Sequence, residues 1–378
     1  MDAVWRWPAR AILALCGVLL PVAAQAQGGG ALRSSWFAGA QVEQGYDSNV
    51  RYDVDSARIS DYNRRLTATV QASRVRARTT LGISANGSIV RYQELKALDA
   101  VSYDINPTAT RRLSAHTSGT VGAYFRQVLS SEVVLTPSAL LYSRAVQKSV
   151  GGNVGITKRF SAFNTGSIDA TYGKVTFDRP GLIPGSSFSG RGQFGHLLRT
   201  RGAIGIVADV TQGDAQGTKL ATQTLSALVS PKIAKLRLTI IAGATRTQTD
   251  SASAILPSGS IQLADSIGPG SYSIGYSRAA SQAFGLGALL VSDAVTASYD
   301  FQARKGNLVT LGGWWGVSRT STGPTRSLKS RAAFASFRRV LKGGITVAGA
   351  TSYRQRKDLI EASGFSAQFG LGFALRPR

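Results

Sequence analysis

The stretch VTASYDFQAR, residues 295 to 304, changes polarity at every step. Val295, Ala297, Tyr299, Phe301 and Ala303 fall on one parity, and Thr296, Ser298, Asp300, Gln302 and Arg304 on the other. A helix cannot use a period of two; a strand, whose successive side chains point to opposite faces, can. The pattern recurs in Leu66, Ala68, Val70 and Ala72 against Thr67, Thr69, Gln71 and Ser73. It recurs again in Leu236, Leu238, Ile240, Ala242 and Ala244 against Arg237, Thr239, Gly243 and Thr245, with Ile241 breaking the rule. Such segments predict many strands, each with one apolar and one polar face.

Their length decides what they build. Strands of a soluble sandwich usually run about five or six residues. These run about ten to thirteen, the span a tilted strand needs to cross a bilayer. Inside a bilayer every backbone amide must be paired within the protein, so spanning strands must close into a barrel without edges. The expected fold is all-β: a transmembrane antiparallel β-barrel, apolar outside and polar inside. Trp36, Tyr46, Tyr92, Phe177 and Tyr353, near expected strand ends, suit aromatic girdles at the two membrane interfaces.

The opening residues agree with export. Arg6 and Arg10 precede the apolar run Ala11 to Leu20, followed by Pro21 and the small-residue site Ala24-Gln25-Ala26. This reads as a secretory signal peptide cut after Ala26. The run is roughly half of what a spanning helix needs, which argues against a retained anchor. Cys16, the only cysteine, lies inside it, so the mature chain has no thiol for disulfides or thiolate metal sites. The expected plan is a signal peptide over 1–26, a short periplasmic spacer over 27–35 and one outer-membrane barrel over 36–378.

Turn chemistry gives a strand count. Short basic connections recur at Arg74 to Arg78, Arg111-Arg112, Lys158-Arg159, Arg199 to Arg201, Lys232 to Lys235, Arg304-Lys305-Gly306 and Arg338 to Gly343. Longer connections rich in Pro, Gly and Ser, such as Arg179 to Gly190 and Asp250 to Gly270, alternate with them. Short turns belong to the periplasmic side and long ones to the outside. Between consecutive basic turns run one strand up and one down, except between Lys235 and Arg304, where the gap is nearly double. Phe284 to Val291 is assigned the missing strand, for about 18 in all with both termini periplasmic; without it, about 16 remain. A barrel that wide keeps an aqueous lumen unless something folds into it. Asp250 to Gly270 and Ser131 to Tyr142 are the expected inward loops.

The chain carries 44 Lys plus Arg against 20 Asp plus Glu. On the polar parity this places Arg65, Arg126, Arg237, Arg304, Arg354 and Arg356 in the lumen, with Glu43, Asp47, Asp104, Asp169, Asp209 and Asp300 among them. Lys305, Arg338 and Arg339 join Arg304 at a periplasmic rim. Rings of one charge concentrate solutes of the other, so the functional reading is attraction of anions. The plainer reading gives the rim cations to anionic lipid head groups. His116 and His196 are isolated, so neither a metal centre nor any cofactor is expected. A hydrolase would need a Ser-His pairing the sequence does not place, so no enzyme is expected. A nucleic-acid reader would carry its basic patch on a soluble module, which is missing.

GAQVEQGYDSNV, residues 39 to 50, closes on Gly45-Tyr46-Asp47-Ser48-Asn49-Val50. It resembles the opening strand of Gram-negative outer-membrane β-barrel families associated with export of exopolysaccharide and other surface components. The resemblance implies an outer-membrane location and as partners outer-membrane lipids, the barrel-insertion machinery, periplasmic export components and an anionic polysaccharide. Such barrels finish on an aromatic residue that the insertion machinery reads; here Phe373 is the candidate. The expected function is a pore for anionic solutes or an acidic polymer, the alternative a closed barrel whose loops bind a surface partner.

Overall fold

The computed structural model describes residues 33–50, 57–129, 145–198, 202–233, 236–284, 287–304, 306–321, 327–357 and 361–375. They form eighteen strands: β1 (Arg33–Asp47), β2 (Asp61–Arg76), β3 (Thr79–Tyr92), β4 (Ala100–Arg112), β5 (Thr117–Leu129), β6 (Val146–Arg159), β7 (Asn164–Phe177), β8 (Gly185–Leu197) and β9 (Gly202–Ala215) in the first half. The second half adds β10 (Thr218–Ile233), β11 (Leu236–Thr249), β12 (Ser253–Ile267), β13 (Gly270–Ala283), β14 (Ala288–Arg304), β15 (Asn307–Thr320), β16 (Ser327–Val340), β17 (Ile345–Lys357) and β18 (Glu361–Leu375). Every strand pairs antiparallel with its sequence neighbours, and β1 pairs with β18, so the sheet is a closed barrel. The segment expected to be a signal peptide lies outside the described residues, and β1 begins at Arg33, within the expected spacer.

The alternation places the apolar parity outside. Val42, Leu66, Ile168, Leu225 and Phe369 keep 48 to 73% of their surface exposed. A soluble protein cannot carry an apolar band of that extent; a lipid-facing wall requires it. Trp36, Tyr46 and Tyr353 lie on this outer parity, Tyr46 packing obliquely on Tyr62 at 5.2 Å. Tyr92 and Phe177 share the inner parity with Asn63 and Gln147 and are not girdle residues.

The end where β1 begins and β18 finishes, the proximal end, has turns of two to four residues throughout. At the distal end the connections range from two residues, in the β9–β10 hairpin, to the 13 and 16 residues of 48–60 and 130–145. Gln216 and Gly217 make that tightest turn with φ of 51° and 90°, as a two-residue hairpin turn demands.

Two assignments between Lys235 and Arg304 change. Asp250 to Gly270, expected as an outer loop or inward plug, is mostly strand β12, and it supplies the missing crossing. Phe284 to Val291 is not a separate strand; it spans the end of the β13–β14 hairpin and the start of β14. Alternation did not reveal β12 because Pro257 and Gly259 interrupt it and its polar parity is short. Arg179 to Gly190 likewise read as loop, although β8 starts at Gly185. Ser131 to Tyr142 lies outside the described residues.

One hairpin does fold inward. The β12–β13 pairing stops at Gly259 and Arg278, whereas β13 and β14 stay paired up to Ala283 and Ala288. Beyond Arg278 the β13 arm therefore parts from β12 and turns inward, while β14 stays paired with β15 up to Leu290 and Thr320. The hairpin end packs on the inner side of the β9–β10 hairpin: Leu289 joins Leu220 and Ala215, each at most 2% exposed, with Phe284 and Ile183 beside them. The Gln282 side-chain amide donates to the Leu220 carbonyl at 2.9 Å. Thr245 and Thr247 on the inner face of β11 are also buried. Pro257 lies in the part of β12 that β13 abandons, where a residue without an N–H is tolerated.

Candidate functional site

The lumen is built by the inner parity of the strands, and the register fixes which side chains share it. Arg65 sits opposite Glu43, with Nε 3.9 Å from the carboxylate. Arg126 sits opposite Asp104 at 3.8 Å. Both pairs lie in the distal half of the barrel wall. Their side chains are partly exposed, so each pair adds little stability but fixes a charge pattern on the wall.

Arg65 and Arg354, far apart in sequence, line one luminal recess of about 510 Å³ with Ser336, Ser352, Ser366 and Gln368. Closure between β1 and β18 brings them together. Arg356 is on the same inner parity one step of the pleat further out, between Ser330 and Ala362. Two guanidinium groups lining one recess with hydroxyls and a carboxamide offer planar donors to carboxylate or phosphate oxygens.

Arg237 lines a second, proximal cavity of about 960 Å³ with Thr239, Gln262, Ser273, Ser298 and Asp300. Asp300 accepts a hydrogen bond from Thr310 at 2.6 Å. Arg304 closes β14 opposite Asn307, and Lys305 lies outside the described residues. Arg338 shares the inner parity with Ser336, whereas Arg339 points to the outer surface with Phe337, so these two do not share a lumen-facing rim. A proximal basic cluster does exist elsewhere. Arg76, Arg78, Arg112 and Arg159 surround a rim cavity of about 660 Å³, and the Arg159 guanidinium lies 3.3 Å from the His116 Nδ1.

Sequence reasoning missed Arg191. It stands between Asp169 and Asp209 on neighbouring strands, with Nε 3.7 Å from Asp209, near mid-strand. The preceding residues read as loop, which hid the alternation of β8; the period-two run Ser187, Ser189, Arg191, Gln193 is the signal that would have found it.

The opening motif has a structural task. Asp47 Oδ1 accepts the Asn49 N–H at 2.9 Å, and the buried Asn49 side chain donates to the Ser363 carbonyl at 3.0 Å. Ser48 exchanges two bonds with Phe365, its N–H donating to the carbonyl and its Oγ accepting the N–H. Tyr46 faces outward, and Gly45 is buried where a Cβ would crowd Asn63 and Gln368. These contacts tie the exit of β1 to the start of β18, so the motif locks the seam that closes the barrel.

Among the described residues no group of three His, Cys, Asp or Glu side chains converges as a metal site.

No protein-family model and no curated protein sequence matches the chain. Solved structures do. The outer membrane protein OpdK of Pseudomonas aeruginosa has a TM-score of 0.51 at 9% identity, over 90% of this chain and 99% of that one. OccAB4 of Acinetobacter baumannii has a TM-score of 0.52 at 10% identity, over 91% and 98%. OccK2 (OpdF) of Pseudomonas aeruginosa, solved with glucuronate, has a TM-score of 0.53 at 10% identity, over 91% and 98%. At such identities the likeness is one of fold, and the fold is that of an outer-membrane β-barrel.

Proposed function

We propose that the chain is an outer-membrane channel for small anionic solutes, with the proximal end in the periplasm and the distal end outside. The observation that carries this reading is the recess where Arg65 and Arg354 meet over Ser352, Ser366 and Gln368. A carboxylate entering from outside meets this recess and the Arg126 site in the distal half, Arg191 at mid-depth, and Arg237 and the Arg112–Arg159 cluster toward the exit. Carboxylates or hydroxyls beside these cations keep an anion from being held too tightly to leave. Two barrels of the same fold were solved with small carboxylates, OccK2 with glucuronate and OpdK with vanillate, which supports this substrate class.

The acidic-polymer alternative rests on the opening motif, and that motif is occupied in closing the β1–β18 seam. The inward hairpin at the distal end favours small solutes over a polymer chain. The outer-membrane lipids are the medium of the apolar wall, and the insertion machinery is the expected reader of β18, where Phe373 faces outward opposite Ile345.

Planar bilayer recordings test the proposal. The folded protein should conduct with anion preference, glucuronate should block chloride current, and Arg65→Gln with Arg354→Gln should weaken both. Cation preference would refute the anion reading, and absence of any conductance from folded protein would favour the closed interaction barrel.

A further inference from the structure

The outer surface carries basic residues where its apolar band ends at the distal rim. On β16 and β17, Lys329 stands directly opposite Lys357. Arg331 follows two residues after Lys329 on the same face, opposite Gln355, to which its Nε donates. Arg319 on β15 is opposite Ser327, diagonal to Lys329. All four side chains are exposed. Among the described residues Glu361 is the acid paired with them, 3.6 Å from Lys357. Beyond the β1–β18 seam, Arg64 stands directly opposite Arg91, both exposed and on the same outer parity as Leu66.

Like charges directly opposite across antiparallel strands destabilise the pair, because their Cβ atoms are only about 5 Å apart. Two such pairs on one rim mark a place where counter-charge from outside the chain would relieve the repulsion. The proximal rim of the same sector differs. There the outward residues of β15–β18 are mostly apolar, Val309, Leu311, Phe337, Ile345, Leu371 and Phe373, with Asn307 and Arg339 facing each other; further round, Arg74, Arg76 and Arg111 also lie on the outer parity, but opposite Leu81 and Thr79 rather than another cation. Among the described residues, directly opposed outward cations therefore occur at the distal rim and not at the proximal one. Guanidinium and ammonium groups at diagonal spacings of about 7–8 Å suit a headgroup with more than one phosphate better than a single phosphodiester.

We infer that the Arg319–Lys329–Arg331–Lys357 patch, seconded by Arg64 and Arg91, is a docking surface for the bisphosphorylated sugar headgroup of lipopolysaccharide. The inference rests on the outer-membrane reading, since only that membrane supplies this lipid on the distal side. Phosphate oxygens bridging Lys329 and Lys357 would relieve their repulsion, and Gln355 holds Arg331 in place for the same headgroup.

The test uses the folded full-length barrel in detergent and in vesicles, with four probes: bisphosphorylated lipid A, its dephosphorylated form, phosphatidylglycerol and inorganic phosphate. Native mass spectrometry should show lipid A retained through detergent exchange, and the dephosphorylated form and phosphatidylglycerol lost. The quadruple variant R319Q/K329Q/R331Q/K357Q should retain about tenfold less lipid A, equivalent to ~1.4 kcal/mol. The double variant R331Q/K357Q, which keeps half of the patch charge, should fall between them and covers a quadruple variant that fails to fold. Equal retention by wild type and folded variants overturns the inference, as does phosphatidylglycerol binding as firm as that of lipid A. Displacement of lipid A by millimolar inorganic phosphate would mean a generic phosphate site and overturns it too. Failure of the wild type to enter vesicles at all would instead sink the membrane reading, so the two failures are distinguishable.

Discussion

If the β13–β14 hairpin throttles the distal lumen, loosening its end should widen the conducting path without unfolding the wall. The perturbation is Leu289→Ala, alone and with Gln282→Ala. Leu289 is 1% exposed and packs on Leu220 and Ala215, so truncating it costs about 2–5 kcal/mol of whatever its seating stabilises. Gln282 adds one hydrogen bond to the Leu220 carbonyl, worth roughly 0.5–1.5 kcal/mol net. The β13 arm has already left β12 beyond Arg278, and the bonds of β14 to β15, including the Ser321 N–H to the Leu289 carbonyl, are backbone bonds that the substitution keeps, so the loss falls on the seating of the hairpin end against β9–β10. At about 1.4 kcal/mol per decade, a loss of ~3 kcal/mol shifts the seated-to-released ratio roughly a hundredfold. Single-channel recording should then show a larger conductance level or far more frequent visits to it, while heat-dependent gel migration stays unchanged. Wild-type conductance and gating in both folded variants would refute the idea that the hairpin limits flow.

Further outcomes test the wall, the seam and the lumen. Leu225→Arg, outward and 62% exposed, should cost roughly 2–4 kcal/mol in refolding titrations if it lies near the bilayer midplane, whereas Thr239→Arg, facing the lumen, should cost far less. Asn49→Ala removes the bond to the Ser363 carbonyl across the seam and should destabilise the barrel by about 1–3 kcal/mol, seen as a lower melting temperature. Arg191→Gln leaves Asp169 and Asp209 without the cation between them; reversal potentials should move toward cations, most at low salt, because screening shortens to about 8 Å at physiological ionic strength.

The fold was legible because a period of two sustained over ten or more residues has few physical solutions. Alternation in VTASYDFQAR gave both the strand and its faces, and Thr296, Ser298 and Asp300 do share the lumen side of β14. The strand count of 18 was also recoverable, though through the wrong segment. β12 contains Pro257 and Gly259, which read as turn residues, yet in the folded chain Pro257 occupies the stretch with no β13 partner. A local signal for a turn and a local signal for an edge are the same signal. Arg191 was hidden for a related reason, since Ser186, Ser187 and Gly190 resemble loop composition until the parity is counted from the strand's middle. The meeting of Arg65 and Arg354 was not legible at all, because it depends on β1 closing against β18.

Charge placement shows why composition alone misleads in a barrel. A surplus of 44 basic over 20 acidic side chains invites a single use, the attraction of anions through the pore. The register divides it instead. Inside, Arg65, Arg126 and Arg191 each stand within 4 Å of a carboxylate, so the wall presents paired charges whose fields fall off quickly, a pattern suited to binding a passing anion without trapping it. Outside, at the distal rim, Lys329 faces Lys357 and Arg64 faces Arg91. The same residue types therefore serve opposite demands. In the lumen a cation must be partly neutralised so that solute can leave, whereas at the outer rim directly opposed cations, of which Lys357 has Glu361 beside it, leave positive charge that an anionic neighbour in the lipid would complete. One residue of parity separates the two roles, as Arg338 and Arg339 illustrate on β16: adjacent in sequence, one turned to the lumen and the other to the membrane.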